Sequence, residues 1–210
     1  EEATSAGGSF HALNGNHEVL NVELDFRYVT DGGWAEFSDV PYSPNDEQLM
    51  SYPEYQRGRV AAFRPGGLYA KILATRPIIF ILNKNLFVHG GVLPGHLEYG
   101  IETINNEISE WMEGIGQEPN TGYIRDEDHP IWSRHYSDGP DDNDCAMLEH
   151  VLEETETDRM IVSHTIQWDE GINSDCNGKV WRVDVGLSEY YAYLPAQILE
   201  IIGDYISVIQ

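Results

Sequence analysis

Three short blocks of this chain carry the residue types that bind metal ions. Asn14-Gly15-Asn16-His17-Glu18, His89-Gly90-Gly91 and Ser163-His164-Thr165 each follow an apolar run of strand character. Each sets a ligand-type side chain beside glycine or another small residue. Neutral imidazole and amide oxygen are good ligands for divalent manganese, iron or zinc. Strand ends that meet at one sheet edge are where α/β proteins assemble such groups, so the wide separation of the blocks along the chain is no obstacle. Taken singly, a histidine after a strand is an ordinary hydrogen-bonded side chain and Asn-Gly an ordinary turn. The joint pattern points to a metal centre.

The elements that must position these blocks can be read from turn signals and apolar spacing. Residues 9–13 read as a strand running into a tight loop at Asn14-Gly15. Ser43-Pro44-Asn45-Asp46-Glu47 is a helix start, and helical sequence broken at Pro53 and at Pro65-Gly66-Gly67 continues to about Ala74. Residues 77–82 and 85–88 read as a hairpin around Asn83-Lys84. Apolar residues at Ile101, Ile104, Ile108, Trp111 and Met112 predict a helix over 99–112. Residues 114–130 read as a long polar loop. The acidic run 138–144 lacks the spacing of a calcium loop and reads as a solvated lead-in to a helix over 146–154. Residues 159–162, 180–185, 196–202 and 205–209 read as strands. Helices and strands interleave without a repeat or a linker, which predicts one α/β domain.

Composition narrows the partners. Twelve basic residues against 36 acidic ones give a net charge of −24. Such a surface repels nucleic acid and anionic membrane, and neither is an expected partner. No run approaches the ~20 apolar residues of a membrane helix, so the chain reads as soluble, with its compartment left open. A phosphate ester would be repelled at long range as well, and would need a local positive centre of metal ions or arginines. The two cysteines, Cys145 and Cys176, are too few for a disulfide framework. One bridge and two free thiols both remain open.

The joint pattern carries a resemblance. Gly15-Asn16-His17-Glu18 is similar to the third signature block of the calcineurin-like metallophosphoesterases, and His89-Gly90-Gly91 to the block that follows it. His164-Thr165 resembles their closing Gly-His block, with Ser163 in place of the usual glycine. Asn21-Val22-Glu23, Asp25-Phe26-Arg27-Tyr28, Val92-Leu93-Pro94 and the tail from Cys176 to Gly186 are similar to the Shewanella-like protein serine/threonine phosphatases.

This resemblance implies a metallophosphoesterase-type four-layer α/β/β/α sandwich with mixed sheets. It implies two divalent ions (manganese, iron or zinc), with Asn16, His89 and His164 as ligands of the second. His17 would be the general acid that protonates the leaving alkoxide, and Arg134, in Trp132-Ser133-Arg134, would grip the substrate phosphate. Hydroxide activated by the two metals would attack a phosphoprotein or a small phosphate ester. Hydrolysis of dinucleoside polyphosphates or nucleotides, and phosphoprotein binding without turnover, are the alternative readings. His129 and His135 match no site position. The family's opening blocks, Gly-Asp-x-His-Gly and Gly-Asp-x-x-Asp-Arg, are absent from this sequence. The resemblance therefore implies that residues 1–210 are the C-terminal portion of one metallophosphoesterase domain, incomplete at the N-terminus. It also implies a helical insertion at about 37–74, and little two-metal activity in this chain by itself.

Overall fold

Caps and turns decide where the elements begin. In the computed structural model, which describes residues 2–119, 121–191 and 195–210, the chain divides into two units. The first is Glu1–Pro77 with Asn105–Asn120, and the second is Ile78–Ile104 with Thr121–Gln210.

The first unit is helical among its described residues: α1 (Glu2–Ser5), α2 (Asn16–Val22), α3 (Asp31–Ala35), α4 (Glu47–Met50), α5 (Glu54–Phe63) and α6 (Leu68–Ala74). Thr30 caps α3 by accepting from the Gly33 N–H, and Asp46 caps α4 by accepting from the Leu49 N–H. The breaks at Pro53 and at 65–67 fall where proline and glycine predict them. Residues 9–13 are a correction to the expected strand. They form neither helix nor strand, and Phe10 is exposed. A strand needs a ladder, and this segment is anchored at its end, where the Asn14 N–H donates to Pro77 O. Leu49, Val60, Ala70, Leu73, Trp111 and Met112 are buried.

In the second unit β1 (Ile79–Leu82) and β2 (Asn85–Val88) form the expected hairpin. Asn83 and Lys84 both take positive φ, as a two-residue turn that matches strand twist requires. Next come α7 (Pro94–Tyr99) and α8 (Ile101–Glu113), whose residues from Asn105 onward count with the first unit. The helix expected over 99–112 is α8, and Gly100, at φ 101°, separates it from α7. The short α9 (Thr121–Ile124) interrupts the expected loop. Then α10 (Asp142–Glu154) starts earlier than the apolar spacing predicts. Its acidic lead-in is the first turn itself, with the Asp141 carboxylate accepting from the Asn143 and Asp144 N–H groups.

The remaining strands are β3 (Arg159–Val162), β4 (Asn173–Asp175), β5 (Val180–Arg182), β6 (Ile198–Ile202) and β7 (Tyr205–Ile209). The expected strand over 180–185 ends at Arg182, and the polar edge strand β4 carries no apolar signal. A five-stranded mixed sheet runs in the order β1-β2-β3-β5-β4, and β6 pairs with β7 as a separate hairpin. β2, β3 and β5 are mutually parallel, with antiparallel partners at both edges. Central β3 is buried along its whole length, which its unbroken apolar run Met160-Ile161-Val162 allows.

Cys145, at the start of α10, and Cys176, just after β4, form a disulfide with a Cα–Cα distance of 5.3 Å. The bridge left open by the sequence is therefore made. No helix among the described residues is long and apolar enough to cross a membrane.

Candidate functional site

Parallel pairing brings two of the three blocks together. Asn85, Leu86 and Phe87 of β2 stand opposite Arg159, Met160 and Ile161 of β3, so both strands end at the same edge. One step further, the Ser163 N–H donates to His89 O at 2.9 Å. His89 and His164 thus leave adjacent strand ends, and His89 Nε2 and His164 Nδ1 lie 3.0 Å apart, one donating to the other.

His164 takes φ 69°, in the left-handed region that a side chain with a Cβ enters at a cost of about 1–3 kcal/mol. Its surroundings hold it there. Trp132 meets its ring edge-on at 5.6 Å, and Arg134 Nη1 donates to His164 O at 3.2 Å. The same nitrogen donates to Thr165 Oγ1 at 2.6 Å, and that hydroxyl is paired with Ser137 Oγ.

Glycine lets the segment around residues 130–136 close over the β2 end. A Cβ on Gly90 would lie 2.8 Å from Pro130 O, Ser133 N and Ser133 O. The Gly90 N–H donates to Pro130 O, and Tyr136 Oη donates to Val92 O. This contact sets Trp132 and Arg134 beside His164. Together with Arg125, Asp128 and His135 they line a cleft of about 480 Å³.

His135 has a role that its sequence position does not reveal. Its two ring nitrogens meet Asp144 Oδ1 at 2.6 Å and Asp128 Oδ1 at 3.1 Å. Burial pulls its pKa down, but the two carboxylates outweigh that and raise it. No spacing in the sequence links these three residues, and only the packing of α10 joins them.

His129 lies in the interior. Burial pushes it down to about 3, and His96, whose Nδ1 accepts from the Leu93 N–H, down to about 4. Both are therefore neutral in the fold. The unfolded chain takes up protons at the ordinary histidine value of about 6.5, whereas the folded one does so only at the depressed values. The stability they contribute is complete above about 6.5 and is lost as pH falls from there toward 4. The expected slope is about 1.4 kcal/mol per pH unit for each group. Denaturant titrations between pH 7 and 4.5 check this, and His129→Gln is expected to flatten the slope by one proton. His135 has the opposite sign. Its raised pKa contributes stability below about 6.5 that is lost at higher pH.

Asn16 and His17 lie in the first unit, in the first turn of α2. The buried Asn14 side chain fixes the entry to this helix by donating to Leu73 O and Arg76 O, each at 2.9 Å. The Glu18 carboxylate accepts from the Gly15 N–H. Asn16 is buried, while His17 is exposed and stacks flat on Tyr28 at 4.8 Å. Beside this stack is a hollow of about 220 Å³ that reaches to Arg59. Burial lowers the Arg59 pKa, partly offset by Glu36.

The His89–His164 pair suits a divalent ion as far as it goes. Two nitrogens each about 2.0–2.1 Å from one ion stand about 3 Å apart, which is the spacing of this pair once the proton between them has moved to another ring nitrogen. The described residues hold no group of three or more His, Cys, Asp or Glu that could bind a metal ion. The pair therefore fits one edge of a coordination shell that needs further ligands.

No protein-family model matches the chain. It is 39% identical over 233 residues to Shewanella-like protein phosphatase 2 of Arabidopsis thaliana, covering 97% of this chain and 59% of that protein. It is 24% identical over 200 residues to Shewanella-like protein phosphatase 1 of Plasmodium berghei, covering 92% of this chain and 51% of that protein. The chain thus spans between half and three-fifths of the length of these curated relatives. A crystal structure of a mutant cold-active protein tyrosine phosphatase superposes with a TM-score of 0.65 at 21% identity, over 94% of this chain and 55% of that one. The chain is homologous to Shewanella-like protein phosphatases, and its mixed α/β fold is that of a solved phosphatase.

Proposed function

We propose that this chain carries part of the active site of a metal-dependent phosphomonoesterase of the calcineurin-like type, acting on phosphoproteins. The observation that carries this reading is the His89–His164 pair, held at two adjacent parallel strand ends beside Arg134. Homology to phosphatases along nearly the whole chain supports it. The reading includes the four-layer metallophosphoesterase sandwich, of which the mixed sheet described here would be one layer.

In this reading His89 and His164, with the Asn16 carboxamide, are ligands of one ion of a two-metal centre of manganese, iron or zinc. When bound, divalent ions make water acidic enough to ionise near neutral pH and balance charge on a phosphoryl group. Arg134 binds the substrate phosphate. Its bonds to His164 O and Thr165 Oγ1 commit one nitrogen of the guanidinium and fix its plane, so its other donors can meet phosphate oxygens in pairs. His17, exposed and steadied by Tyr28, donates a proton to the leaving oxygen. Arg125 and Arg134 line the cleft beside Glu127 and Asp128, and they give a single phosphorylated side chain a local positive contact that the acidic surface as a whole denies a polyanionic nucleic acid.

The test uses the full-length protein with manganese. Its substrates are peptides carrying phosphoserine, phosphothreonine or phosphotyrosine, set against diadenosine tetraphosphate. Expected is phosphate release from a phosphopeptide that a chelator abolishes and manganese restores. Preference for the dinucleotide would overturn the phosphoprotein assignment. Phosphopeptide binding without release would make the protein a non-catalytic phosphoprotein binder.

A further inference from the structure

The helix that carries His17 is too short to hold an imbalanced load by itself. α2 has 7 residues, about two turns, and helices of that length take their order from tertiary contacts. A chain of three ties runs from it through Arg59 to α3, all within the first unit. Asn21 Nδ2 donates to His17 O at 2.7 Å. The Asn21 Oδ1 receives two bonds from one guanidinium, from Arg59 Nε at 3.0 Å and Nη2 at 2.7 Å. The third Arg59 nitrogen, Nη1, donates to Gly33 O in α3 at 2.9 Å.

We propose that Arg59 is a positioning residue for His17, acting through Asn21. The double bond from the guanidinium fork settles which way the Asn21 amide faces, since only an oxygen can accept both N–H groups. Its Nδ2 must then face His17 O. Arg59 is itself tightly seated. Its guanidinium carbon lies 4.7 Å from the ring centres of both Phe37 and Phe63. The preceding residue, Gly58, brings α5 so close to the Phe37 backbone that a Cβ there would lie 1.9 Å from Phe37 O. Position 59 therefore cannot drift without moving the α5 contact. The His17 ring is held from the other side by Tyr28, where the chain turns back after α2. That turn is closed by the Leu24 N–H donating to Asn21 O and the Asp25 N–H to Leu20 O. Through Arg59 the residues between 37 and 74 set the angle at which the imidazole is presented. This inference rests on the reading of His17 as the general acid.

The experiment compares Arg59→Lys and Asn21→Asp with the wild type in the metal-loaded full-length protein. Lysine keeps the charge but cannot make the forked pair. Aspartate still accepts from Arg59 but cannot donate to His17 O. The first readout is the histidine ring spectrum by NMR. The His17 ring protons, shifted by stacking on Tyr28, are expected to move toward exposed-histidine values in both variants. The second is the ratio of turnover on p-nitrophenyl phosphate, whose leaving group needs no acid, to turnover on a phosphoserine peptide, whose leaving group does. That ratio is expected to rise about tenfold or more, because general acid catalysis is worth about 10²–10⁴. A purely structural defect lowers both activities together and leaves the ratio alone. Unmoved His17 resonances in two folded variants would overturn the positioning role. Moved resonances with an unchanged ratio would uphold the positioning and overturn the acid role of His17 instead.

Discussion

Replacing His164 with alanine is expected to lower metal-stimulated phosphate release by at least about 100-fold, because it removes a proposed ligand and leaves His89 without its neighbour at the strand end. The same position makes a second, separable prediction about stability. His164 sits at φ 69°, which alanine cannot adopt without strain and glycine can. His164→Gly and His164→Ala both lose the imidazole, the contact with Trp132 and the activity. The difference between them isolates the backbone term. The glycine variant is expected to be more stable than the alanine variant by about 1 kcal/mol. Denaturant midpoints for the two proteins, with phosphopeptide turnover alongside, check both halves. Equal midpoints would mean that the surrounding bonds from Arg134 and Ser163, rather than residue type, fix the turn. A left-handed histidine at a strand end is the kind of strain that a fold retains where function requires it.

The second large effect is expected at Gly90. A methyl group there would meet three backbone atoms at 2.8 Å, Pro130 O, Ser133 N and Ser133 O, and none of them can swing aside as a side chain can. Gly90→Ala is therefore expected to cost about 3 kcal/mol, the upper end for overpacking, and to push residues 130–136 away from the β2 end. Arg134 moves with them, so phosphopeptide turnover should fall even where the variant remains folded. Two comparisons give the result meaning. Gly91→Ala meets the Tyr136 ring at 2.9 Å and Ser133 Oγ at 3.2 Å, side-chain atoms that can yield, and should cost less. Gly95→Ala meets nothing within 4 Å and should be neutral or slightly stabilising. Thermal unfolding of the three variants checks the order. A Gly90→Ala protein as stable and active as the Gly95→Ala one would show that the segment carrying Arg134 does not depend on this contact.

The β1–β2 hairpin was legible in the sequence because Asn83-Lys84 can take two positive φ angles between strands of the right length. The β3 strand was legible because a central parallel strand is apolar on both faces. Local signals of this kind failed where pairing decides the outcome. Residues 9–13 have strand composition but no ladder, and β4 has a ladder but no strand composition. The start of α10 was displaced for a different reason. Asp141 and Asp144 read as a solvated charge run, whereas their carboxylates satisfy the unpaired N–H groups of a first turn.

Arg134 and the proposed roles rest on the family resemblance; by itself, the sequence showed ligand-type side chains, Asn16, His17, His89 and His164, set beside turns. Side-chain type and local turn preference suffice for that. Only the tertiary structure decided which of them meet. The parallel register of β2 and β3 put His89 beside His164, and the absence of a Cβ on Gly90 admitted the segment that delivers Arg134. Only it revealed the Asp128–His135–Asp144 clamp, the Cys145–Cys176 bridge and the tie from Arg59 through Asn21 to His17. The physical reason is the same in each case. Each depends on how separate elements pair, and the free energy that selects it comes from packing and hydrogen bonding across them, of which no local run of sequence carries a sign.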